Sequence, residues 1–197
     1  MTDEEHEGKR VALMEKFEEV LGILGLDPKI NPDTADTPRR YADSMLELLR
    51  GSTLGETIAD IMSKTSPAEG YDEMIVSGGI DATGICPHHI LPIEYNVVVG
   101  YIPSDGVCLG LSKFARLIEL LAARAVLQEQ LTMDIVASMI TYLKPVGAGV
   151  IVRGVHGCMT CRGVKQRNSF TVTTSLYGPM KTDPKCREEF LFHSRTK

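Results

Sequence analysis

Apolar residues recur at helical spacing near the start of the chain. Val11, Met14, Val20, Leu21 and Leu24 stand among Lys16, Glu18 and Glu19, which predicts an amphipathic helix over residues 5–24. Gly25-Leu26-Asp27-Pro28 stops it. After a polar loop, Thr37 is the expected N-cap and Pro38 the first residue of a second helix, which runs to Arg50 and ends at Gly51. Residues 54–62 offer a further short helix, and residues 64–71, with Pro67 and Gly70, read as loop. From Met74 the period shortens to two. Residues 74–77 read as strand, Gly78-Gly79 as a bulge, and Ile80 resumes the strand. Residues 90–102 form a second strand rich in β-branched side chains, closed by the turn sequence Pro103-Ser104-Asp105-Gly106. Gly110-Leu111-Ser112-Lys113 opens a helix with Leu117, Leu120 and Leu121 facing inward. Residues 127–143 form another, with Ile135, Met139 and Leu143 at i, i+4, i+8. Residues 146–155 and 169–175 are strands.

Helices, two strands, two helices, two strands is an α+β order with two antiparallel pairs. It divides the chain into an N-terminal helical extension, residues 1–72, and a domain of residues 73–197 that carries the chemistry. The apolar segments are interrupted well before a membrane-spanning length. No basic stretch followed by an apolar run marks a signal peptide, so a cytoplasmic location is expected. The formal net charge of −5 argues against nucleic acid as a bulk electrostatic partner. A local cationic cluster can still hold a small anion.

The 5 cysteines change the picture most. Cys86, Cys158 and Cys161 sit in or beside short Cys/His motifs, whereas Cys108 and Cys186 read as packing positions. With no export signal, the motif cysteines point to metal or catalytic chemistry rather than disulfides. Cys86-Pro87-His88-His89 has the spacing that lets Cys86 and His89 reach one ion. Cys158 in His156-Gly157-Cys158 would complete a Cys₂His set with a fourth position for water. His88 and His156 would then be the acid–base candidates beside it. If the preceding strand continues far enough, alternation puts His156 and Cys158 on one face. Two alternatives stand at this level. Cys86, His89, Cys158 and Cys161 would make a closed, structural Cys₃His zinc; with no metal at all, the thiols would be buried and the histidines hydrogen-bonded. Elsewhere, Ser112, Lys113 and Arg116 lie on the first turn of a helix, where free N–H groups favour anions. Arg162 follows the second motif, and Gln128-Glu129 offers an amide and a carboxylate, the latter able to pair with the adjacent N–H donors of guanine. Each of these has an ordinary reading as solvated surface. Together, beside a candidate zinc site, they point to a phosphorylated purine.

At these residues the sequence resembles the GTP cyclohydrolase I family. The matching segments are Cys86-Pro87-His88-His89, Gly100-Tyr101-Ile102-Pro103, Gly110-Leu111-Ser112-Lys113 with Arg116, and Gln128-Glu129-Gln130-Leu131-Thr132. They continue with His156-Gly157-Cys158, Arg162-Gly163, Thr171-Val172-Thr173-Thr174-Ser175 and the Arg187-Glu188-Glu189-Phe190-Leu191 tail. Thr37-Pro38-Arg39-Arg40 fits more loosely. The resemblance implies a T-fold of antiparallel strands and paired helices, assembled into a homo-oligomeric barrel, usually a decamer, with active sites between subunits. It implies Zn²⁺ on Cys86, His89 and Cys158, with His88 and His156 as the acid–base pair. It puts Gln128 and Glu129 at the guanine end and Ser112 at the ribose rearrangement. Lys113, Arg116 and Arg162 would hold the triphosphate, with Arg40 assisting from a neighbouring chain. The implied reaction opens the imidazole ring of GTP at C8, releases formate and yields 7,8-dihydroneopterin triphosphate. The chain departs from the family pattern at Pro87, where glutamate is usual, and at Asp43, where many bacterial members carry a phosphate-directed lysine. It departs also at Tyr95, where glycine is common, and at Cys161, an added thiol.

Overall fold

The computed structural model describes residues 2–52, 57–104 and 106–195. The chain divides into two compact units, Met1–Gly55 and Glu56–Lys197.

In the N-terminal unit, α1 (Asp3–Ile23) begins at a capping box in which Thr2 and Glu5 satisfy each other's backbone N–H groups. The expected apolar stripe is only in part a buried face. Leu21 is buried, whereas Val11, Val20 and Leu24 are exposed. The cap, rather than the stripe, defines where this helix starts. The second helix, α2 (Thr37–Leu48), starts one residue earlier than expected: Asp36, not Thr37, occupies the N-cap, without a side-chain hydrogen bond. Within the unit, α1 and α2 are joined by a parallel stack of Phe17 on Tyr41, centroids 3.6 Å apart. Arg10 Nε also donates to Asp43 at 2.8 Å.

The C-terminal unit opens with α3 (Ile58–Met62), capped by Thr57; the rest of the short helix expected over 54–62 lies outside the described residues. β1 (Thr65–Pro67) lies where a loop was expected, because it pairs antiparallel with β4 (Val107–Leu109), a long-range partner that local sequence does not announce. The main sheet holds β2 (Ile75–Ile85), β3 (Pro92–Ile102), β5 (Gly147–His156) and β6 (Thr171–Tyr177) in the order β2-β3-β5-β6, all antiparallel. The register shifts between Ser77 and Ile80, where Gly79 has φ +69°, so Gly78-Gly79 is the expected bulge. Asp105, part of the expected turn after β3, lies outside the described residues.

Alternation along β3 sets the layering. Ile93, Tyr95, Val97, Val99 and Tyr101 are buried, while Glu94 and Asn96 between them are exposed. Their core face meets α4 (Leu111–Ala122) through Phe114, Leu117, Ile118 and Leu121, and α5 (Gln128–Leu143) through Leu131, Ile135 and Met139. α6 (Gly157–Thr160) is one turn directly after β5. α7 (Pro179–Thr182) and α8 (Pro184–His193) follow β6, and their Met180 and Phe190 pack over Gly100 and Gly149, paired residues of β3 and β5. A Cβ on Gly100 would come within 2.6 Å of the Phe190 ring, so a side chain there would displace α8. The result is an α+β fold: an antiparallel sheet with paired helices on its core face. No described helix is long and apolar enough to cross a membrane.

Candidate active site

The β2–β3 connection is a tight loop. Cys86 N–H donates to Leu91 O at 2.9 Å, and Ile90 N–H donates back to Cys86 O at 2.9 Å. Pro87 has no N–H to contribute, and none of the bonds that close the loop asks for one. The loop buries Cys86 and leaves His88 and His89 exposed. β5 pairs His156 with Ile93 and then ends. The expected extension of this strand to Cys158 does not occur: Gly157 turns the chain into α6, which carries Cys158. A Cβ on Gly157 would stand 2.8 Å from Pro92 O, so this close passage of the turn against β3 needs a glycine.

The turn brings Cys158 to the loop. Ligand atoms of Cys86, His89 and Cys158 all lie within 4.8 Å of one another. Cys86 Sγ and His89 Nδ1 are 3.8 Å apart. Tetrahedral zinc, with bonds of about 2.3 Å to sulfur and 2.0 Å to nitrogen, holds such atoms roughly 3.5–3.8 Å apart. The donor set therefore fits zinc in spacing, and two soft thiolates with an imidazole suit it in chemistry. Cys161 is exposed and stands outside this group, so a fourth sulfur does not close the set. Burial, and then the neighbouring Cys86 thiol, push the Cys158 thiol above its ordinary pKa, with Arg162 opposing. A bound cation would reverse that balance. His88 Nδ1 lies 4.0 Å from Cys86 Sγ but belongs to no such cluster.

Behind the group stands an ordered polar network. Gln128, first residue of α5, is only 2% exposed. Its NH₂ donates to Val152 O at 3.0 Å, Thr171 O at 3.1 Å and Thr173 Oγ1 at 3.2 Å. That leaves Oε1 as the acceptor facing His156 Nε2 at 2.9 Å. An acceptor there requires His156 to carry a proton on Nε2, so neutral His156 has its basic lone pair on Nδ1. Burial pushes the His156 pKa below 6.5, with the Glu129 charge opposing, which favours this neutral form. Thr132 Oγ1 donates to Gln128 O at 2.7 Å and lies 2.6 Å from Thr173 Oγ1. Sequence reasoning placed Thr132 and Thr173 in matching segments without giving either a role, and did not name Gly154. A further signal was Gly154 itself, a glycine in an apolar strand two residues before His156. A Cβ on it would stand 2.3 Å from Gln128 Oε1.

The structure parts Gln128 from Glu129. The amide is buried against the sheet, whereas Glu129 is exposed and borders an open cavity of about 560 Å³ lined also by Thr132, Thr173, Ser175, Lys181 and Arg187. Arg187 donates to the backbone carbonyls of Met180 and Lys181, which fixes this rim. Ser112, Lys113 and Arg116 lie at the other end of their helix. Ala122 O, at the α4 C-terminus, stands 3.1 Å from the Cβ position of Gly84, two residues before Cys86. Lys113 is nine residues up the axis, about 13 Å away. Gly110 caps α4 without a side-chain hydrogen bond. Arg162 is exposed just beyond α6. Arg40 is exposed on α2 of the N-terminal unit and pairs with Asp36 at 3.4 Å. Asp43, on the same helix, is held by Arg10 at 2.8 Å and Arg39 at 3.2 Å.

Comparison with known proteins gives consistent matches. The family described as GTP cyclohydrolase I matches residues 13–195. GTP cyclohydrolase 1 of Rattus norvegicus is 38% identical over 190 residues, 96% of this chain and 77% of the rat protein. The Homo sapiens protein of that name is 38% identical over 190 residues, covering 96% of this chain and 74% of its own length. That of Wolinella succinogenes is 35% identical over 189 residues, 96% of this chain and 99% of the bacterial protein.

Proposed function

The chain belongs to the GTP cyclohydrolase I family of hydrolases, and from that premise we propose that it is a zinc-dependent enzyme that opens the imidazole ring of GTP at C8, releases formate and forms 7,8-dihydroneopterin triphosphate. The observation that carries this reading is the three-ligand group of Cys86, His89 and Cys158, with His156 held beside it in one tautomer by Gln128. Three protein ligands and no fourth is the catalytic pattern; the exposed position of Cys161 speaks against the closed structural alternative. When bound, zinc supplies Lewis-acid activation of water near neutral pH.

The chain's residues supply the rest. Water adds to C8 while His156 gives a proton to the imidazole nitrogen of the purine. His156 can do so because Gln128 holds its ring and leaves Nδ1 to gain and return the proton. The C8–N bond breaks to give a formamide, and a second water adds to its carbonyl carbon and releases formate. His88 is the second acid–base group, and its exposure suits exchange of protons with solvent. The ribose then rearranges with Ser112 in attendance, and ring closure expels one water. One water is thus consumed overall. Glu129 accepts from the guanine N1–H and 2-amino groups, while Lys113, Arg116 and Arg162, assisted by Arg40, hold the triphosphate.

The separation of Lys113 from the metal group along α4 supports sites shared between copies of the chain, with one copy supplying the phosphate end. β2 and β6 are the two edges of the sheet, and pairing edge to edge would continue it into the homo-oligomeric barrel expected of a T-fold. Incubating the purified protein with GTP tests the reading. Formate and, after oxidation, a fluorescent pterin are expected. Their absence from zinc-replete protein refutes it.

A further inference from the structure

Tyr95 of β3 is 4% exposed, yet its hydroxyl makes no hydrogen bond to any described residue. Among the described residues, no fully buried side-chain oxygen or nitrogen lacks a partner. Tyr95 Oη must therefore reach an accessible opening, even though the ring beneath it is enclosed. Two glycines make room for that ring. Gly154 lies directly opposite Tyr95 across β3–β5, and a Cβ there would stand 3.1 Å from Tyr95 Cε1 and 2.3 Å from Gln128 Oε1. Gly84 on β2 flanks the other edge, where a Cβ would stand 2.6 Å from Tyr95 Cε2. The phenol and the Gln128 amide thus share the space over one glycine, next to the imidazole that Gln128 holds.

The ionisable groups that act on the phenol are Cys86, a member of the metal group, and Glu129 at the cavity rim. Burial pushes its pKa upward and these two neighbours reinforce the shift, so the hydroxyl keeps its proton and is a donor. As a packing residue the hydroxyl is a poor choice. Phenylalanine would fill the same slot, so packing alone does not ask for the hydroxyl.

We propose that Tyr95 is a further substrate-contacting residue, whose hydroxyl donates a hydrogen bond to the O6/N7 edge of the purine that spans from Glu129 to the metal group. This rests on the proposed function, since the purine is the ligand that would bring an acceptor to this opening.

Tyr95→Phe in the full-length, zinc-loaded protein tests it, with equilibrium dialysis of GTP, steady-state kinetics, zinc content and melting temperature measured together. The expected result is a fall in kcat/KM for GTP of about tenfold, carried by KM, with GTP binding weakened to match. Zinc content and melting temperature stay at wild-type values, because the hydroxyl has no partner to lose among the described residues. A kcat/KM and an affinity within twofold of wild type overturn the proposal. So does a loss that comes with lower zinc content or a lower melting temperature, which would make Tyr95 a structural residue. If the wild-type protein releases no formate from GTP, the proposed activity fails by itself. The Tyr95 inference is then decided by dialysis alone: weaker GTP binding by the variant supports it and equal binding overturns it.

Discussion

Replacing Gln128 by methionine keeps its length and removes its polarity. Its polar contacts go with it: the two NH₂ hydrogens, shared among Val152 O, Thr171 O and Thr173 Oγ1, and the bond accepted from His156. Each such bond is worth about 1 kcal/mol net, and acceptors left buried add to the loss, while methionine recovers part of it by apolar packing; a destabilisation of roughly 2–4 kcal/mol follows. The kinetic effect has a separate origin. Without Oε1 nothing described holds the His156 ring, so both tautomers and several ring orientations become accessible. Turnover should then lose much of what a positioned acid–base group supplies, about 10²–10⁴-fold. KM for GTP should change little, because Gln128 is buried and does not face the cavity beside Glu129.

The assay pairs urea unfolding with kcat measured from pterin fluorescence, on protein whose zinc content has been matched to wild type. The two losses must appear together for the argument to hold. If stability falls by the expected amount while kcat stays within threefold of wild type, Gln128 only ties α5 to the sheet and His156 needs no orientation from it. Thr173→Val is a milder companion, because it removes one acceptor of the amide and the partner of Thr132 while leaving the His156 contact in place. About 1 kcal/mol of stability should be lost, with kcat nearly preserved.

Three further outcomes are expected. Cys158→Ala should lose zinc and activity, whereas Cys161→Ser should keep both; metal analysis of the two proteins decides, and zinc loss from the serine variant would make Cys161 a ligand. Glu129→Gln keeps the size of the side chain but not its charge, and should cost roughly 2–5 kcal/mol in kcat/KM for GTP; an unchanged kcat/KM would remove Glu129 from base recognition. In the N-terminal unit, the Arg10 hydrogen bond, helped by the charges of Arg10 and Arg39, holds the Asp43 carboxyl below its ordinary 3.8, against burial, which is the main opposing effect. A depressed folded pKa stabilises above the unfolded value and ceases to do so as pH falls through the folded one. The melting difference between wild type and Asp43→Asn should therefore be steady from neutrality down to about pH 4 and shrink below it; a difference that grows on acidification contradicts the pairing.

Much of this architecture was legible in the sequence because it rests on periodicity. The buried alternation of Ile93, Tyr95, Val97 and Val99 and the helical spacing of Ile135 and Met139 are both local signals. The Gly78-Gly79 bulge announces itself by composition. What periodicity could not show was pairing and breakage. Residues 65–67 become a strand only because residues 107–109 come back to meet them. Thr37 has the chemistry of an N-cap, but Asp36 holds the position, since cap identity depends on where the chain enters the helix and not on side chain alone. The apolar residues of α1 repeat correctly and still leave Val20 and Leu24 exposed, because spacing says which side chains share a face and not whether anything covers it.

The candidate site divides along the same line. Its candidate metal ligands were readable as residue types, but the geometry that joins them was not the one alternation suggests. Extended strand would have carried Cys158 about 6.6 Å past His156 along the sheet. Instead Gly157 lets the chain pass close to Pro92 O and coil, which swings Cys158 toward the Cys86 loop and leaves His156 at the strand end, against Gln128. The candidate ligand and the proposed acid–base group thereby belong to different elements, one on a short helical turn and one on a central strand. On the proposed reading the turn can adjust to an ion without moving the imidazole, which is referenced to the sheet through the contacts of the Gln128 NH₂. Gly157→Ala should accordingly disturb zinc content before it disturbs His156, whereas Gly154→Ala, whose Cβ meets Gln128 Oε1 at 2.3 Å, should depress turnover in protein that keeps its zinc. The reverse pattern in metal analysis and kcat would show that the two halves of the site are not mechanically separate.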